Sequence, residues 1–480
     1  MREKYILEIP AKEFDFAKYT PDMLPEPKGK TYELSTNPGR KFEDPFDLDN
    51  LVFFDKSDAE NLLRELEVIC YRQIETGGTE KIVVIVGTGG TIAMIKRNGK
   101  LIPLLDSIEL LNILPSYIRE KYKAVTIQTK KMVDSSELPP DIIADTVILA
   151  SATWRKMSAS LKKRFAGFVI THGTDTMSDS AALFRMMLGR NVPFNTAFVG
   201  AQKTIEDDLN DVSANLTGVL SCLGYAHDDS NSYPENKFAA THHFVFMNGS
   251  SGAAMNQTGI SKVSDNNIMG FISPMHPDII SYAKFGATGI RALTANLIHS
   301  SNEDKFRPLV VRGYVNVEKI LAEQGRDPEM DRAHVKAATS NRKSSGIVLV
   351  TYGSFTFHPA NLSAILEAAN VADVPVFVAN PFASGSTEHN YGPAINVRKS
   401  GAEPVHMMPA AVRAKIHIGN AMFGSDRENF LTFMRKDYVG EMPEEYPDLP
   451  PIGQTRSNLW QYVKLISEST DRSIIDSLSG

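Results

Sequence analysis

Two cysteines, Cys70 and Cys222, are all that 480 residues carry, and neither belongs to a Cys-x-x-Cys pair. That scarcity excludes a disulfide framework, and the expected state is two reduced, buried thiols. Long apolar runs are also missing. The longest, IVVIV (82–86) and GIVLV (346–350), are far too short to cross a bilayer. The opening MREKYILEIPAKEFDF has no apolar core of the secretory kind, so a soluble cytoplasmic chain with no membrane partner is expected. Basic residues do not predominate: 51 Lys and Arg face 57 Asp and Glu, a formal net charge of −6. A general phosphate-tracking surface is therefore excluded. Eleven histidines are scattered, and only His242 and His243 are adjacent, without metal-ligand spacing. No metal and no cofactor are expected. What is present is a composition of 42% hydrophobic and 22% charged residues, long enough for two or three packed units.

Residues 1–80 read as an N-terminal extension, an arm followed by one helix. Six of the 26 prolines fall in the first 55 residues, which show no sustained periodicity and suggest an extended arm wrapping its own domain or a neighbour. SDAENLLRELEVICYRQIETGG then reads as a helix. Ser57 and Glu60 form a candidate capping box, Leu62, Leu63, Leu66, Ile69 and Ile74 an apolar face, and Gly77-Gly78 the stop.

From residue 81 to about 285, β-branched runs alternate with amphipathic stretches. KIVVIV, KAVTIQTK, AGFVIT, NTAFVG and HFVFMNG read as strands. DSIELLNIL, PPDIIADTVILASATW and DSAALFRMMLG read as helices. The alternation implies a larger α/β domain built on a doubly wound parallel sheet. Residues 286–345 read as linker and insertion, with VNVEKILAEQ helical and GRDPEMDRAHVKAATSNRKSSG a polar surface segment. A smaller C-terminal α/β domain and tail follow over 346–480. There GIVLV and VPVFVAN are strands, HPANLSAILEAANV and PAAVRAKIHIGNAM helices, and Pro409 opens the last of these.

Ligands of open α/β sheets bind beyond the carboxyl ends of the strands. Two such ends carry unusual residues. VGTGGTIAM matches a dinucleotide turn only at G-x-G, has Ile92 where the third glycine belongs, and lacks the lysine of a phosphate loop. It can cradle an anion, form a plain tight turn, or hold up the hydroxyl of Thr88 or Thr91. GFVITHGTDTM sets Thr174 and Asp175 after a second buried strand, where a carboxylate is expected to be desolvated with little packing in return. Asp179 and Ser180 are nearer to hand as caps for the helix that follows. A hydroxyl nucleophile needs a base, and Lys262 in GISKVSD is a candidate.

Together, VGTGGTIAM and GFVITHGTDTM resemble the two signature segments of the L-asparaginase (asparaginase/glutaminase) family, closer to its cytoplasmic members. The resemblance runs on through VGAQ, DVSANL, MNGSSG, GISK and NYGPA…SGAEPVHMMPAAVRAK. It implies the two-domain asparaginase-like α/β fold over roughly 81–440. It also implies a catalytic set of Thr91, Thr174, Asp175 and Lys262, with substrate contacts from Gly90, Ser135, Ser136, Asp175 and Ala201. The implied activity is hydrolysis of L-asparagine through a threonine ester, with L-glutamine as a second substrate, in a homodimer or homotetramer without nucleic acid. Which threonine attacks first stays open. The family's loop tyrosine has no counterpart, because MIKRNGKLIPLL puts Leu101 there, with Tyr117 and Tyr122 the nearest substitutes. Ser136 stands where periplasmic members have glutamine, and Glu388 has unusual spacing from Tyr391 for a residue reaching a neighbouring site. Two other readings follow from the same residues. One is an ammonia-supplying subunit of a tRNA-dependent amidotransferase, disfavoured by an arm with eight basic and eleven acidic residues in 1–50. The other is a catalytically weak member with a binding role.

Overall fold

The computed structural model describes, with short internal gaps, residues 41–232, 306–379 and 397–435, together with strands at 5–7, 32–34, 242–248 and 290–297. Short strands β1 (Tyr5–Leu7), β2 (Tyr32–Leu34) and β3 (Lys41–Glu43) precede α1 (Lys56–Thr76). The principal sheet then begins with β4 (Lys81–Gly89), followed by a hairpin of β5 (Met94–Arg97) and β6 (Lys100–Pro103). Helices α2 (Ser107–Asn112) and α3 (Ser116–Lys121) lead into β7 (Tyr122–Val133). After it come α4 (Asp141–Lys156), α5 (Ala159–Lys162), β8 (Phe165–Thr171), α6 (Met177–Leu188), β9 (Thr196–Val199) and α7 (Val212–Ser232). The sheet closes with β10 (His242–Asn248) and β11 (Ile290–Leu297), in the order β11-β10-β9-β8-β4-β7. All pairs are parallel except β10 with β11. KIVVIV lies between β7 and β8 and is covered on both faces, which is why it reads as an unbroken apolar run.

A second sheet orders β13 (Val317–Leu321), β14 (Gly346–Val350), β15 (Val376–Ala379) and β16 (Glu403–Pro404), all parallel. The crossovers are α8 (Pro328–Thr339) and α9 (Pro359–Val371), and α10 (Pro409–Phe423) and α11 (Arg427–Arg435) end the described chain. Two sequence expectations fail here. VEKIL is the edge strand β13, not a helix, with Val317 and Ile320 turned inward and Leu321 exposed. The supposed polar insertion forms α8, capped by Asp327, whose carboxylate accepts from Glu329 N–H at 3.0 Å. Its buried stripe is Asp331, Val335 and Thr339, two of them polar, so hydropathy hides it. Asp331 forms an ion pair with Arg326 at 2.6 Å and accepts from the Asn361 amide at 2.8 Å.

The described part of the arm wraps its own domain. β3 pairs antiparallel with β12 (Val310–Val311), and Phe42, Leu48 and Phe54 are buried. One carboxylate on α4 fixes the strap. Asp145, fully buried, accepts from the N–H groups of Val52, Phe53 and Phe54 at 2.8, 2.6 and 3.3 Å and pairs with Arg312. Arg312 also meets Glu43 at 2.8 Å, and burial raises the Glu43 carboxyl above its ordinary range despite that partner. α1 ends at Gly77 as expected but starts after Asp55 with no side-chain cap, so the Ser57–Glu60 box does not form and Ser57 lies inside the helix. Leu62 and Leu66 face the core, Leu63 and Ile69 pack at its margin, and Ile74 points to solvent.

Candidate active site

The register of the principal sheet sets the two signature turns side by side. Gly87 of β4 pairs with Thr171 of β8, and Thr171 pairs with Val199 of β9. Three turns therefore leave the sheet from one row: Thr88 to Thr91, His172 to Thr176, and Gly200 onward. The two threonines of the first turn divide their work. Thr88 is buried, and its hydroxyl donates to the Thr171 carbonyl at 2.6 Å, stapling the two strand ends. Thr91 opens a 3-10 turn and is half-buried.

Backbone meets backbone at Gly90. Its φ is +87°, and a β-carbon there would lie 2.1 Å from Gly173 N and 2.4 Å from Gly173 Cα. Only glycine permits that approach. Gly200 is the matching contact on the other side, where an added β-carbon would meet the His172 carbonyl at 2.9 Å and the Thr174 methyl at 3.0 Å. The Asn215 amide on α7 holds the Gly200 carbonyl at 2.8 Å, and Ala201 beside it is fully buried. His172 N–H donates to Val199 at 2.9 Å. The His172 ring nitrogen Nδ1 lies 2.7 Å from the Gly173 carbonyl. A carbonyl only accepts, so Nδ1 carries the proton and the next N–H, that of Thr174, points the other way across the trans peptide.

Of the residues singled out in the sequence, Gly90, Thr91, Thr174 and Ala201 converge on these abutting turns. Thr174 is 5% exposed. Asp175 is exposed, against the expectation that its strand-end position would desolvate it. Ser136 is exposed just beyond β7, whose Val133 pairs with Gly89. Ser135, Lys262, Glu388 and Tyr391 lie outside the described residues. Asp179 and Ser180 do not cap α6: the cap position is Thr176, without a side-chain bond. Asp179 sits in the first turn and pairs with Arg413 of α10 at 2.8 Å, joining the two sheets' helices.

Sequence reasoning missed the supports. His172 and Asn215 carry no chemistry-bearing pattern of their own, although both lie inside segments that carry the family resemblance. The hairpin after Thr91 is the third support. Leu101 stands opposite Lys96 in it. The Lys96 backbone N–H donates to Glu206, and its ammonium pairs with Asp207, in the segment that follows Ala201. Thr204 donates to Asp207 from its N–H at 2.9 Å and its hydroxyl at 2.8 Å. The hydrogen bonds from Lys96 and Thr204 hold the Asp207 carboxyl down at about 2. Among the described residues, no group of three His, Cys, Asp or Glu side chains is placed to hold a metal ion. No described helix is long and apolar enough to cross a membrane.

The glycine–threonine turns abut beyond the carboxyl ends of a largely parallel α/β sheet, where sheets of this kind bind ligands. Residues 82–291 of the chain match the family model described as "Asparaginase, N-terminal". Among curated proteins, it is 29% identical to the 60 kDa lysophospholipase of Homo sapiens over 164 residues, 31% of this chain and 28% of that protein. It is 27% identical to a glutamyl-tRNA(Gln) amidotransferase subunit of Aeropyrum pernix over 140 residues, 29% of this chain and 31% of that one. The chain thus spans less than a third of the length of these relatives. Among solved structures, the thermostable L-asparaginase from Thermococcus kodakarensis is similar at 20% identity and a TM-score of 0.49, covering 75% of this chain and 99% of that one.

Proposed function

We propose that the protein is an L-asparagine amidohydrolase that releases L-aspartate and ammonia, and that L-glutamine is a weaker second substrate. The reading rests on one observation above all: Gly90 and Gly173 bring the Thr91 and Thr174 turns into backbone contact. The Thr91 hydroxyl attacks the side-chain amide carbon, and the carbonyl oxygen becomes an oxyanion. Collapse expels ammonia and leaves a β-aspartyl ester on Thr91. Water then cleaves the ester, returning the proton to the threonine oxygen. Thr174, Asp175 and Lys262 form the proton-transfer set, and Ser135, Ser136, Gly90 and Ala201 hold the substrate. The Thr174 N–H, turned away from the carbonyl that His172 holds, is the oxyanion donor of this reading. Loss of one such donor costs about 3 kcal/mol of barrier. Glutamine is one methylene longer, which a pocket discriminates by only about 1–3 kcal/mol.

The test is ammonia release by purified protein from asparagine and then glutamine, without RNA. Turnover of asparagine is expected, and turnover of neither amide overturns the reading. Thr91→Ala is expected to lose more than about 10³-fold in rate while remaining folded, as loss of a nucleophile does. The amidotransferase among the relatives motivates the competing outcome, glutamine-dependent ammonia transfer that appears only with an RNA-binding partner present.

A further inference from the structure

Helix α1 has a face that the other described residues leave uncovered. Its buried stripe is Ala59, Leu62, Leu66, Cys70 and Gln73. At about 100° per residue, the opposite line runs Arg64, Val68, Tyr71, Glu75. Val68 is 48% and Tyr71 61% exposed, and Ile74 on the flank is 51% exposed. Arg64, Glu65, Arg72 and Glu75 are exposed around them. The Tyr71 hydroxyl is hydrogen-bonded to Glu75 on the same face.

We propose that this face is a two-fold interface with a second copy of the chain, in which α1 packs antiparallel against its counterpart. Charge placement selects both occupant and direction. A two-fold axis crossing α1 between Val68 and Tyr71 sets each Val68 against the other copy's Tyr71, and each Arg64 against the other copy's Glu75. One step to the side, Glu65 and Arg72 fall within about 3 Å of axial alignment, two residues' rise. A parallel pairing would set Arg64 against Arg64 and Glu75 against Glu75, which is repulsive. Apolar side chains thus occupy the axis, with complementary charges at both ends, as in a small helical interface with a polar rim. The helix of 21 residues offers a seam about 31 Å long. This face lies outside residues 82–291 and owes nothing to the amidase reading, so the two stand or fall separately.

Sedimentation velocity of the full-length protein over a range of concentrations tests the interface. The wild-type chain is expected to associate reversibly. Arg64→Glu alone, or Glu75→Arg alone, places like charges across the axis and is expected to weaken association about tenfold or more. The double variant Arg64→Glu/Glu75→Arg restores opposite signs and is expected to recover most of the wild-type affinity. These side chains are exposed, so far-UV circular dichroism is expected to be unchanged in all three variants. The proposal is overturned by a wild type that stays monomeric at its highest soluble concentration. Single reversals without effect, or a double variant no stronger than the singles, overturn it equally.

Discussion

At Gly90, a hydrogen in place of a methyl group decides whether two turns can meet. Gly90→Ala combines a φ of +87° with a β-carbon 2.1 Å from Gly173 N, and the nearest atoms are backbone with no flexible end to yield. The turns must part by an ångström or more, and displacements of that size cost about 10²-fold in rate. Ammonia release at that reduced level from a folded Gly90→Ala protein is the expected result, and a wild-type rate would contradict the backbone contact. Thr88→Val makes the opposite case. It removes the donor to a buried carbonyl, so it is expected to cost about 1–3 kcal/mol of stability while sparing chemistry relative to Thr91→Ala. Denaturant midpoints and rates on both variants separate the two threonines. The sequence showed both threonines but not their division of labour, because that depends on Thr171 being the register partner of Gly87. Asp175 was misjudged for a related reason: a strand-end position in the sequence does not say whether the next turn is covered.

Among elements, the strap around Asp145 and the hairpin after Thr91 hold their neighbours by different means. Asp145 is a buried charge with three backbone donors and Arg312, so Asp145→Ala leaves three N–H groups without their acceptor and Arg312 with Glu43 as its remaining carboxylate. A loss of about 3–5 kcal/mol is expected, together with faster hydrogen exchange at Val52, Phe53 and Phe54. Protection of those amides equal to wild type would show that the strap is held elsewhere. The hairpin is fastened from the surface. Asp207 titrates at about 2 against an ordinary 3.8, with Lys96 as the leading cause. A carboxyl depressed by folding contributes fully above its unfolded value and loses that contribution as the pH falls through its folded one. The Lys96 clasp is therefore expected to be intact at pH 4 and above and to open as the pH falls toward 2. A carboxyl titration followed by NMR reads this directly, and an Asp207 midpoint near 4 would remove the clasp. Elements with long apolar runs were legible, β4 and α4 among them. β13 and α8 were not, since a five-residue strand fits a helical window and a stripe of Asp331, Val335 and Thr339 hides its burial.

For the whole molecule, strand alternation predicts how it unfolds. In β4, Ile82, Val84 and Val86 face one apolar cluster while Val83 and Ile85 face another. In β14, Val348 and Val350 face the first of these clusters, and Ile347 and Leu349 a third. Both sheets thus turn one face to a shared layer, filled by α4, α6 and α10 and tied by Arg413 to Asp179. The sequence suggested two units divided by an insertion ending at 345, and it could not show that they share a core, because each helix reads as amphipathic toward its own sheet. A large apolar interface removes the independence that two units would otherwise have. Ile416 on α10 is fully buried in that layer, and Ile416→Ala is expected to cost about 2–5 kcal/mol. The same destabilisation should reach the principal sheet. In a Trp460→Phe background, Trp154 on α4 reports that sheet by fluorescence, while far-UV circular dichroism reports both. If the layer is shared, Ile416→Ala lowers both transitions equally and they coincide before and after the change. If Trp154 kept its wild-type midpoint while the circular dichroism split in two, the sheets would be separate folding units and the shared layer only a contact between them.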